Sequence, residues 1–183
     1  MSTGASATPS GQQECGDIDL HIARDGTWFY HGSPIGRKEM VCLFASVLWR
    51  DGHGTYWLET PAEKARISVE DAPFIAEALY AGTDPEGRQV VSLSTNVDEL
   101  VTVDDDHPVW VDEDSDTGEP RPYVRVRDNL DARLARPVFY DLVAHGTEER
   151  IDGEDMFGLW SNGSFFPLGR MSEAETAETT GTA

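Results

Sequence analysis

The first part of the chain carries apolar and polar residues in the alternation typical of a β-hairpin. Between residues 18 and 30, apolar side chains recur on either side of Asp25-Gly26, a pair typical of tight hairpin turns. Near the other end, Asn162-Gly163 is followed, like Asp25-Gly26, by a small hydroxyl residue and two aromatic residues. The pattern predicts the same aromatic hairpin twice.

Two segments have the apolar period of short helices that open at a proline. In the first, Ser33 is a candidate N-cap and Pro34 takes the first helical position. Its predicted apolar face consists of Met40, Phe44, Val47 and Leu48. The second opens at Arg136-Pro137, with Gly146 as a C-terminal cap. Its predicted apolar face consists of Val138, Phe139, Leu142 and Val143.

Strands are predicted for most of the remaining chain. Each predicted helix is followed within a short loop by a strand that bears a tryptophan, Trp57 or Trp160. In the segment EKARISVED, apolar residues occupy one face of a strand and polar residues the other, namely Ala65, Ile67 and Val69 against Lys64, Arg66 and Ser68. Shorter strand candidates follow as far as PYVRVR, separated by segments rich in turn formers. The middle of the chain is therefore predicted to be antiparallel sheet.

These elements predict an α+β protein with a duplicated core of two small units, each an antiparallel sheet plus a helix. The N-terminal unit is predicted at residues 15–72 and the C-terminal unit at residues 73–170. Residues 1–14 and 171–183 contain few large apolar side chains, so they cannot offset the entropy cost of ordering. We expect both segments to be disordered tails, the second of them acidic.

Charge excludes two classes of partner. The 183 residues include 14 Lys and Arg against 34 Asp and Glu, a formal charge of −20 at pH 7. Such a field repels phosphate backbones and anionic lipid, so we expect neither nucleic acid nor a membrane as partner. The first residues lack a signal-peptide pattern and no apolar run approaches the ~20 residues of a spanning helix, which predicts a cytoplasmic protein. The oligomeric state stays open.

Motifs for catalysis, metals and cofactors are weak or missing. The five histidines are scattered and show no zinc spacing, and Cys15 and Cys42 are too few for a disulfide framework or a metal site. The acidic loop 112–119 resembles a calcium loop, but Tyr123 stands where the final glutamate should be. Neither a nucleophile elbow nor a glycine-rich phosphate loop is found. We therefore predict no metal, no cofactor and no catalytic residue.

One local excess of positive charge stands out in this acidic chain. Five arginines lie within a short segment, at positions Arg121, Arg125, Arg127, Arg133 and Arg136. One interpretation is ion pairing with the surrounding acids. The other is a recessed anion site, because guanidinium groups suit carboxylates and phosphates, with Lys64 and Arg66 as contributors.

Three segments in order carry a family resemblance: YWLETPAEKARISVEDAPF, RPVFYDLVAHG and FGLWSNGSFFPLG. Together they are similar to the bacterial family catalogued as domain of unknown function 1285, over nearly everything from Gly16 to Gly169. The resemblance implies a duplicated α+β core whose C-terminal unit is loosely similar to pleckstrin-homology-like barrels. It also implies a ligand site at the interface of the halves, suited to a nucleotide-like molecule, and a part in signal transduction.

Two hypotheses about function follow, with a third beside them. The first is a non-catalytic binding module that takes a small anionic, nucleotide-like ligand and acts through a partner protein. Its ligand contacts would be Arg66, Arg133, Arg136 and Lys64 for the anion, and Trp57 or Tyr140 for stacking on a base. The alternative is a small hydrolase of a phosphorylated metabolite, in which Asp71 pairs with Arg66. The third is an interaction module without a small ligand.

Overall fold

The fold is given by a computed structural model, which describes residues 13–171. Two compact units share this part of the chain: the N-terminal unit extends to Pro73 and includes Asp128–Leu130, and the C-terminal unit consists of Phe74–Arg127 and the residues from Asp131 onward. Residues 1–12 and 172–183, most of both predicted tails, lie outside the described residues. Gln13 and Glu14 belong to a strand rather than to the predicted 1–14 tail, because they pair in register with Glu63 and Lys64.

One six-stranded sheet and one helix form the N-terminal unit. Its elements are β1 (Gln13–Ile22), β2 (Trp28–Tyr30), β3 (Ser33–Pro34), α1 (Lys38–Ser46), β4 (Leu48–Arg50), β5 (Tyr56–Glu59) and β6 (Glu63–Val69). The strand order is β3-β2-β1-β6-β5-β4. Neighbours are antiparallel except β1 and β6, which run parallel at the centre of the sheet.

The core of the N-terminal unit lies on one face of this sheet. Its fully or nearly fully buried apolar side chains come from every long strand and from α1; they are Leu20, Ile22, Trp28, Ala45, Leu48, Leu58, Ala65 and Ile67. Phe44 of α1 stacks on Trp28, with ring centroids 6.4 Å apart and planes 14° apart. Helix α1 therefore packs on the face opposite to that of Lys64, Arg66 and Ser68, and the predicted alternation in β6 is confirmed.

The predicted start of the first helix is wrong. Ser33 and Pro34 pair with Tyr30 and Phe29 as the short strand β3, and α1 begins only at Lys38. Proline is tolerated at this position because β3 is an edge strand of the sheet that the described residues form. The predicted apolar face is also displaced, since Met40 is 42% exposed and Ala45 is the buried helical residue.

Two sheets and the second helix form the C-terminal unit. Its elements are β7 (Phe74–Thr83), β8 (Gln89–Thr95), β9 (Leu100–Thr102), β10 (Val109–Glu113), β11 (Pro120–Arg127), β12 (Leu130–Leu134), α2 (Arg136–Ala144), β13 (Thr147–Ile151), β14 (Glu154–Ser161) and β15 (Ser164–Arg170). The larger sheet has the order β10-β11-β12-β7-β8-β9 and the smaller one the order β13-β14-β15. β7 and β12 run parallel, so the middle of the chain is a mixed sheet rather than the purely antiparallel one predicted.

The two six-stranded sheets share one topology. Each sheet consists of six consecutive strands of the chain, with the third and the fourth at its two edges. The first strand pairs in parallel with the sixth at the centre: β1 with β6, and β7 with β12. Of the described residues, 54% are in strands and 11% in helices, so mixed sheets dominate both units and the helices are few. The predicted α+β class is thus confirmed in its coarse form, as two units of mixed sheet with short helices.

The second helix begins where the sequence predicts, but Gly146 serves a different purpose. α2 opens at Arg136 with Pro137 in its first turn, and Val138 and Leu142 are buried. The C-cap is His145, and Gly146 shows no positive φ. A Cβ atom on Gly146 would lie 2.5 Å from Cζ of Phe157, so the glycine is needed for close packing against β14 rather than for a left-handed turn.

No helix within residues 13–171 is both long and apolar enough to cross a bilayer.

Candidate functional site

A row of large polar and aromatic side chains crosses the face of the N-terminal sheet opposite to α1, called the outer face below. The strand registers place Trp49 opposite Trp57, Trp57 opposite Arg66, and Arg66 opposite Asp17. Residues directly opposite each other project from the same face of a sheet. Four strands, β4, β5, β6 and β1, therefore contribute one side chain each to this row.

Two cations lie on the indole rings of this row. Nζ of Lys64 is 4.4 Å from the ring centroid of Trp57 and 4.8 Å from that of Trp49. Cζ of Arg66 is 5.9 Å from the ring centroid of Trp57. Each contact is attractive because the indole face carries negative charge density. The outer face thus combines two half-buried aromatic rings with two positive charges.

Two carboxylates form hydrogen bonds with side chains of this row. Nε of Arg66 donates to Asp17, and this hydrogen bond holds the pKa of the Asp17 carboxyl below its usual value. The indole Nε1 of Trp57 donates to Oδ2 of Asp51 at 2.9 Å. The other oxygen of Asp51 accepts from the backbone N–H groups of Thr55 and His53. These bonds lower the pKa of Asp51, the Trp57 indole first among them, and they orient the Trp57 ring.

The lowered pKa of Asp51 predicts a pH-dependent stability that Asp51→Asn removes. A carboxyl whose folded pKa is depressed stabilises the fold above its unfolded value of about 3.9, and this contribution is lost as pH falls through the folded pKa. The difference in unfolding free energy between wild type and Asp51→Asn should therefore be largest above about pH 5 and shrink below about pH 4. Urea denaturation over a pH series measures this difference, and a value that does not vary with pH would contradict the prediction.

A second cluster on the outer face was not predicted. Ser68 follows Arg66 on the same side of β6, and its Oγ lies 2.8 Å from Nδ1 of His21 on β1. Nε2 of His21 lies 3.2 Å from Oε1 of Glu70. The alternation in β6 correctly predicts the face on which Ser68 lies. It does not predict the contact with His21, because the two residues are 47 positions apart and meet only through the parallel pairing of β1 and β6.

Two open grooves flank this cluster. One has a volume of about 350 Å³ and is lined by Asp17, Ile18, Arg66, Ile67 and Ser68. The other has a volume of about 590 Å³ and is lined by Asp19, His21, Ala23, Phe29, Gly32 and Glu70. Arg66 therefore borders the same groove as Ser68, and His21 borders the second groove beside the aromatic ring of Phe29.

The structure brings together only some of the predicted site residues. Trp57, Lys64 and Arg66 meet on the outer face, whereas Asp71 lies half-buried in the bend after β6 while Arg66 bonds to Asp17. The other predicted contacts belong to the C-terminal unit: Arg133 is half-buried on β12, and Arg136 and Tyr140 are exposed one helical turn apart on α2.

Most of the arginine-rich segment follows the ion-pair interpretation. Arg127 donates to both oxygens of Glu99 at 3.1 and 3.3 Å, Arg125 pairs with Asp131, and Arg121 lies 3.6 Å from Asp114. Asp114 also accepts two backbone N–H groups within the acidic loop, and these bonds lower the pKa of its carboxyl. The loop therefore has a structural role in closing the turn between β10 and β11. Among residues 13–171, no group of three or more His, Cys, Asp or Glu is placed to hold a metal ion.

The chain has the two-domain organisation of a family whose two domains are described as being of unknown function. The model described as domain of unknown function DUF1285, N-terminal domain, matches residues 11–72, and the model described as protein of unknown function DUF1285, C-terminal domain, matches residues 73–168. The protein belongs to the DUF1285 family.

Two solved structures of bacterial proteins are similar to this chain. A DUF1285 family protein from Silicibacter pomeroyi is 41% identical, with a TM-score of 0.80 over 94% of this chain and 93% of that chain. A DUF1285 family protein from Shewanella baltica is 26% identical, with a TM-score of 0.53 over 69% of this chain and 91% of that chain. No curated protein matches the chain. The family resemblance drawn from the three sequence segments is thus confirmed.

Proposed function

We propose that the N-terminal unit is a binding module for a small anionic ligand with a planar, nucleotide-like part. The observation that carries this proposal is the position of Lys64 and Arg66 on the indole rings of the outer face. The chain as a whole has a net charge of −20 and repels anions. Two cations on one aromatic surface provide the local field that an anion requires.

The proposed ligand uses both parts of this surface. Its phosphate or carboxylate groups approach Lys64 and the guanidinium of Arg66, which borders the groove of about 350 Å³. Its planar part lies along the indole of Trp57, whose orientation is fixed by the hydrogen bond to Asp51. Asp17 competes with the ligand for Arg66, so only an anion that contacts both cations gains enough to bind.

A thermal-shift panel of nucleoside mono-, di- and triphosphates, with inorganic phosphate alongside, tests the proposal. A ligand at a hundred times its dissociation constant should stabilise the protein by about 2.7 kcal/mol. Arg66→Ala should remove this stabilisation, because it deletes one of the two anion contacts. Trp57→Leu should weaken the binding of nucleotides more than that of inorganic phosphate, because only nucleotides have a planar part that contacts the indole.

Arg150→Ala is the matched control for Arg66→Ala. Like Arg66, Arg150 is an exposed arginine on a strand and pairs with an aspartate, in its case Asp155 at 3.2 Å. We expect the control to bind as wild type does. A panel in which no nucleotide shifts the melting temperature, or in which Arg66→Ala responds like Arg150→Ala, would refute the proposal.

The same panel tests the other predicted contacts through alanine variants of each. These contacts are Asp71, Arg133, Arg136 and Tyr140. Arg133→Ala, measured by itself on the same panel, tests whether the C-terminal unit contributes an anion contact of its own. We also propose a role in signal transduction through a partner protein, supported by the resemblance of three sequence segments to the DUF1285 family. A duplicated origin is likewise proposed, supported by the topology that the two six-stranded sheets share, and the pleckstrin-homology-like form of the C-terminal unit stays a prediction.

A further inference from the structure

Three side chains on the outer face stand in the order nucleophile, base and carboxylate. Oγ of Ser68 is 2.8 Å from Nδ1 of His21, and Nε2 of His21 is 3.2 Å from Oε1 of Glu70. A hydroxyl, an imidazole and a carboxylate in hydrogen-bond reach are the arrangement that activates serine in unrelated hydrolases. No sequence motif predicts this cluster, because its members come from β1, from β6 and from the bend after β6.

The backbone holds the three groups in place. His21 and Ser68 are register partners in the parallel pair β1 and β6, so both side chains project from the outer face. An irregularity in the pairing between Asp17 and His21 changes the register of β1 just before the histidine. Such irregularities re-aim side chains next to functional sites.

Glu70 is fixed through both its backbone and its carboxylate. Its N–H donates to the carbonyl of Ile22 at 3.0 Å, which continues the strand pairing past β6. Its Oε2 accepts the backbone N–H of Arg24 at 2.6 Å, leaving Oε1 for His21. Since a carboxylate only accepts hydrogen bonds, the neutral imidazole carries its proton on Nε2 and presents the lone pair of Nδ1 to Ser68.

We infer that Ser68, His21 and Glu70 form an esterase site for small esters that carry a carboxylate on the acyl group. The Ser68 side chain is open to substrate, because it is exposed and borders the groove that Arg66 also lines. Arg66 lies two residues before Ser68 on the same face, about 7 Å along the strand. That spacing suits an acyl chain with its ester carbonyl at Ser68 and its carboxylate at the guanidinium.

The reaction proceeds in two steps, acylation of Ser68 and hydrolysis of the acyl group. Ser68 Oγ attacks the ester carbonyl carbon while its proton passes to Nδ1 of His21, and the positive imidazole is stabilised by Glu70. The bond between the acyl carbon and the leaving oxygen then breaks, and His21 returns the proton to the leaving alcohol. In the second half water attacks the acyl group on Ser68, His21 takes the proton of the water, and the acid departs as Ser68 regains its proton.

A fluorophosphonate probe tests the nucleophile independently of nucleotide binding. The bond from Ser68 Oγ to phosphorus forms as fluoride leaves, and peptide mass spectrometry locates the adduct. We expect the adduct on Ser68, none in Ser68→Ala, and wild-type labelling in Ser33→Ala, an exposed serine of β3. His21→Ala should slow labelling about a hundredfold or more, and added imidazole should restore part of the rate. Thermal unfolding of each variant checks that it is folded.

Hydrolysis of two p-nitrophenyl esters tests the substrate class. The monoester of glutaric acid should be hydrolysed about tenfold faster than the acetate, and Arg66→Ala should bring the ratio of the two rates close to one. Labelling of no serine, labelling of Ser33 to the same extent, or a rate that His21→Ala leaves unchanged would overturn the site. Equal rates for the two esters would overturn the substrate class alone. Failure of the nucleotide panel leaves Ser68 labelling unaffected, so the two proposals fail separately.

Discussion

Gly158→Ala is expected to destabilise the C-terminal unit by about 3 kcal/mol or more. A Cβ atom on Gly158 would lie 2.4 Å from the backbone carbonyl oxygen of Phe166 and 2.5 Å from Cζ of Phe165. The Phe165 ring can move, but the carbonyl belongs to the paired strand β15 and cannot move without breaking the ladder between β14 and β15. The register also shifts between Phe157 and Gly158, so the strands already deviate from ideal pairing at this point.

Gly169→Ala is the matched control in the same pair of strands. No atom of residues 13–171 lies within 4 Å of its added Cβ atom, and its φ is not positive. We expect Gly169→Ala to change the free energy of unfolding by no more than about 0.5 kcal/mol. Urea denaturation followed by circular dichroism measures both variants, and amide hydrogen exchange in β14 and β15 assigns the loss to this sheet. Equal stability of the two variants would show that β15 accommodates the extra methyl group.

Trp28→Ala is expected to cost about 3–5 kcal/mol in the N-terminal unit. The Trp28 side chain is 1% exposed and stacks on Phe44, so it joins β2 to α1 in the core. Its removal leaves a cavity. The three-residue strand β2 is paired on both sides, with β3 and β1, and cannot move inward to fill it. Tyr30→Ala, at a 50% exposed aromatic residue of the same strand, should cost less than about 1 kcal/mol.

Trp28→Phe should retain most of the stability that Trp28→Ala loses. The indole Nε1 of Trp28 is buried and has no hydrogen-bond acceptor among the described residues. A buried donor without a partner costs about 1–3 kcal/mol, so removal of this group offsets part of the lost packing. Guanidinium denaturation of the three variants gives the order wild type, Trp28→Phe, Trp28→Ala. A Trp28→Phe variant as unstable as Trp28→Ala would show that the ring volume alone determines the stability.

Local patterns in the sequence predict the strands well. The structure confirms these predictions where a strand's conformation depends on residues close to it along the chain. The hairpin at Asp25-Gly26 forms, Gly26 has a φ of 86°, and the alternation in β6 correctly places Lys64 and Arg66 opposite to the core. Trp28 is buried as expected of a core strand. Phe29 is not: it points to the outer face, with its ring centroid 6.4 Å from that of His21.

The two aromatic hairpins differ in the length of their turns, which the similarity of the two sequences does not show. Between Ala23 and Thr27 the first turn has three residues, whereas Ser161 and Ser164 enclose a turn of only two. One extra residue exchanges the two faces of the following strand. Accordingly the first aromatic residue is buried in one hairpin, Trp28, and the second in the other, Phe166.

Pairings between distant segments account for what the sequence could not predict. The pairing of β1 with β6 joins Asp17 to Arg66 and His21 to Ser68, and neither contact follows from spacing along the chain. The strand β12 was not predicted, although the two-residue turn Asp128-Asn129 joins it to its neighbour β11. Its other neighbour, β7, is distant in the sequence and runs parallel to it. The sequence therefore predicts which positively charged side chains lie on the outer face, but not which side chains they contact.

The parallel pairs at the centre of both sheets also set an order of events during synthesis. The first strand of each sheet acquires its central neighbour only when the sixth strand has left the ribosome. Until then β1 and β7 can form only their hairpins, and one long edge of each stays unpaired and open to other chains. The outer face cannot exist before β6 docks, so a nascent chain that ends before Arg66 carries Asp17 and His21 but neither of their partners on that strand.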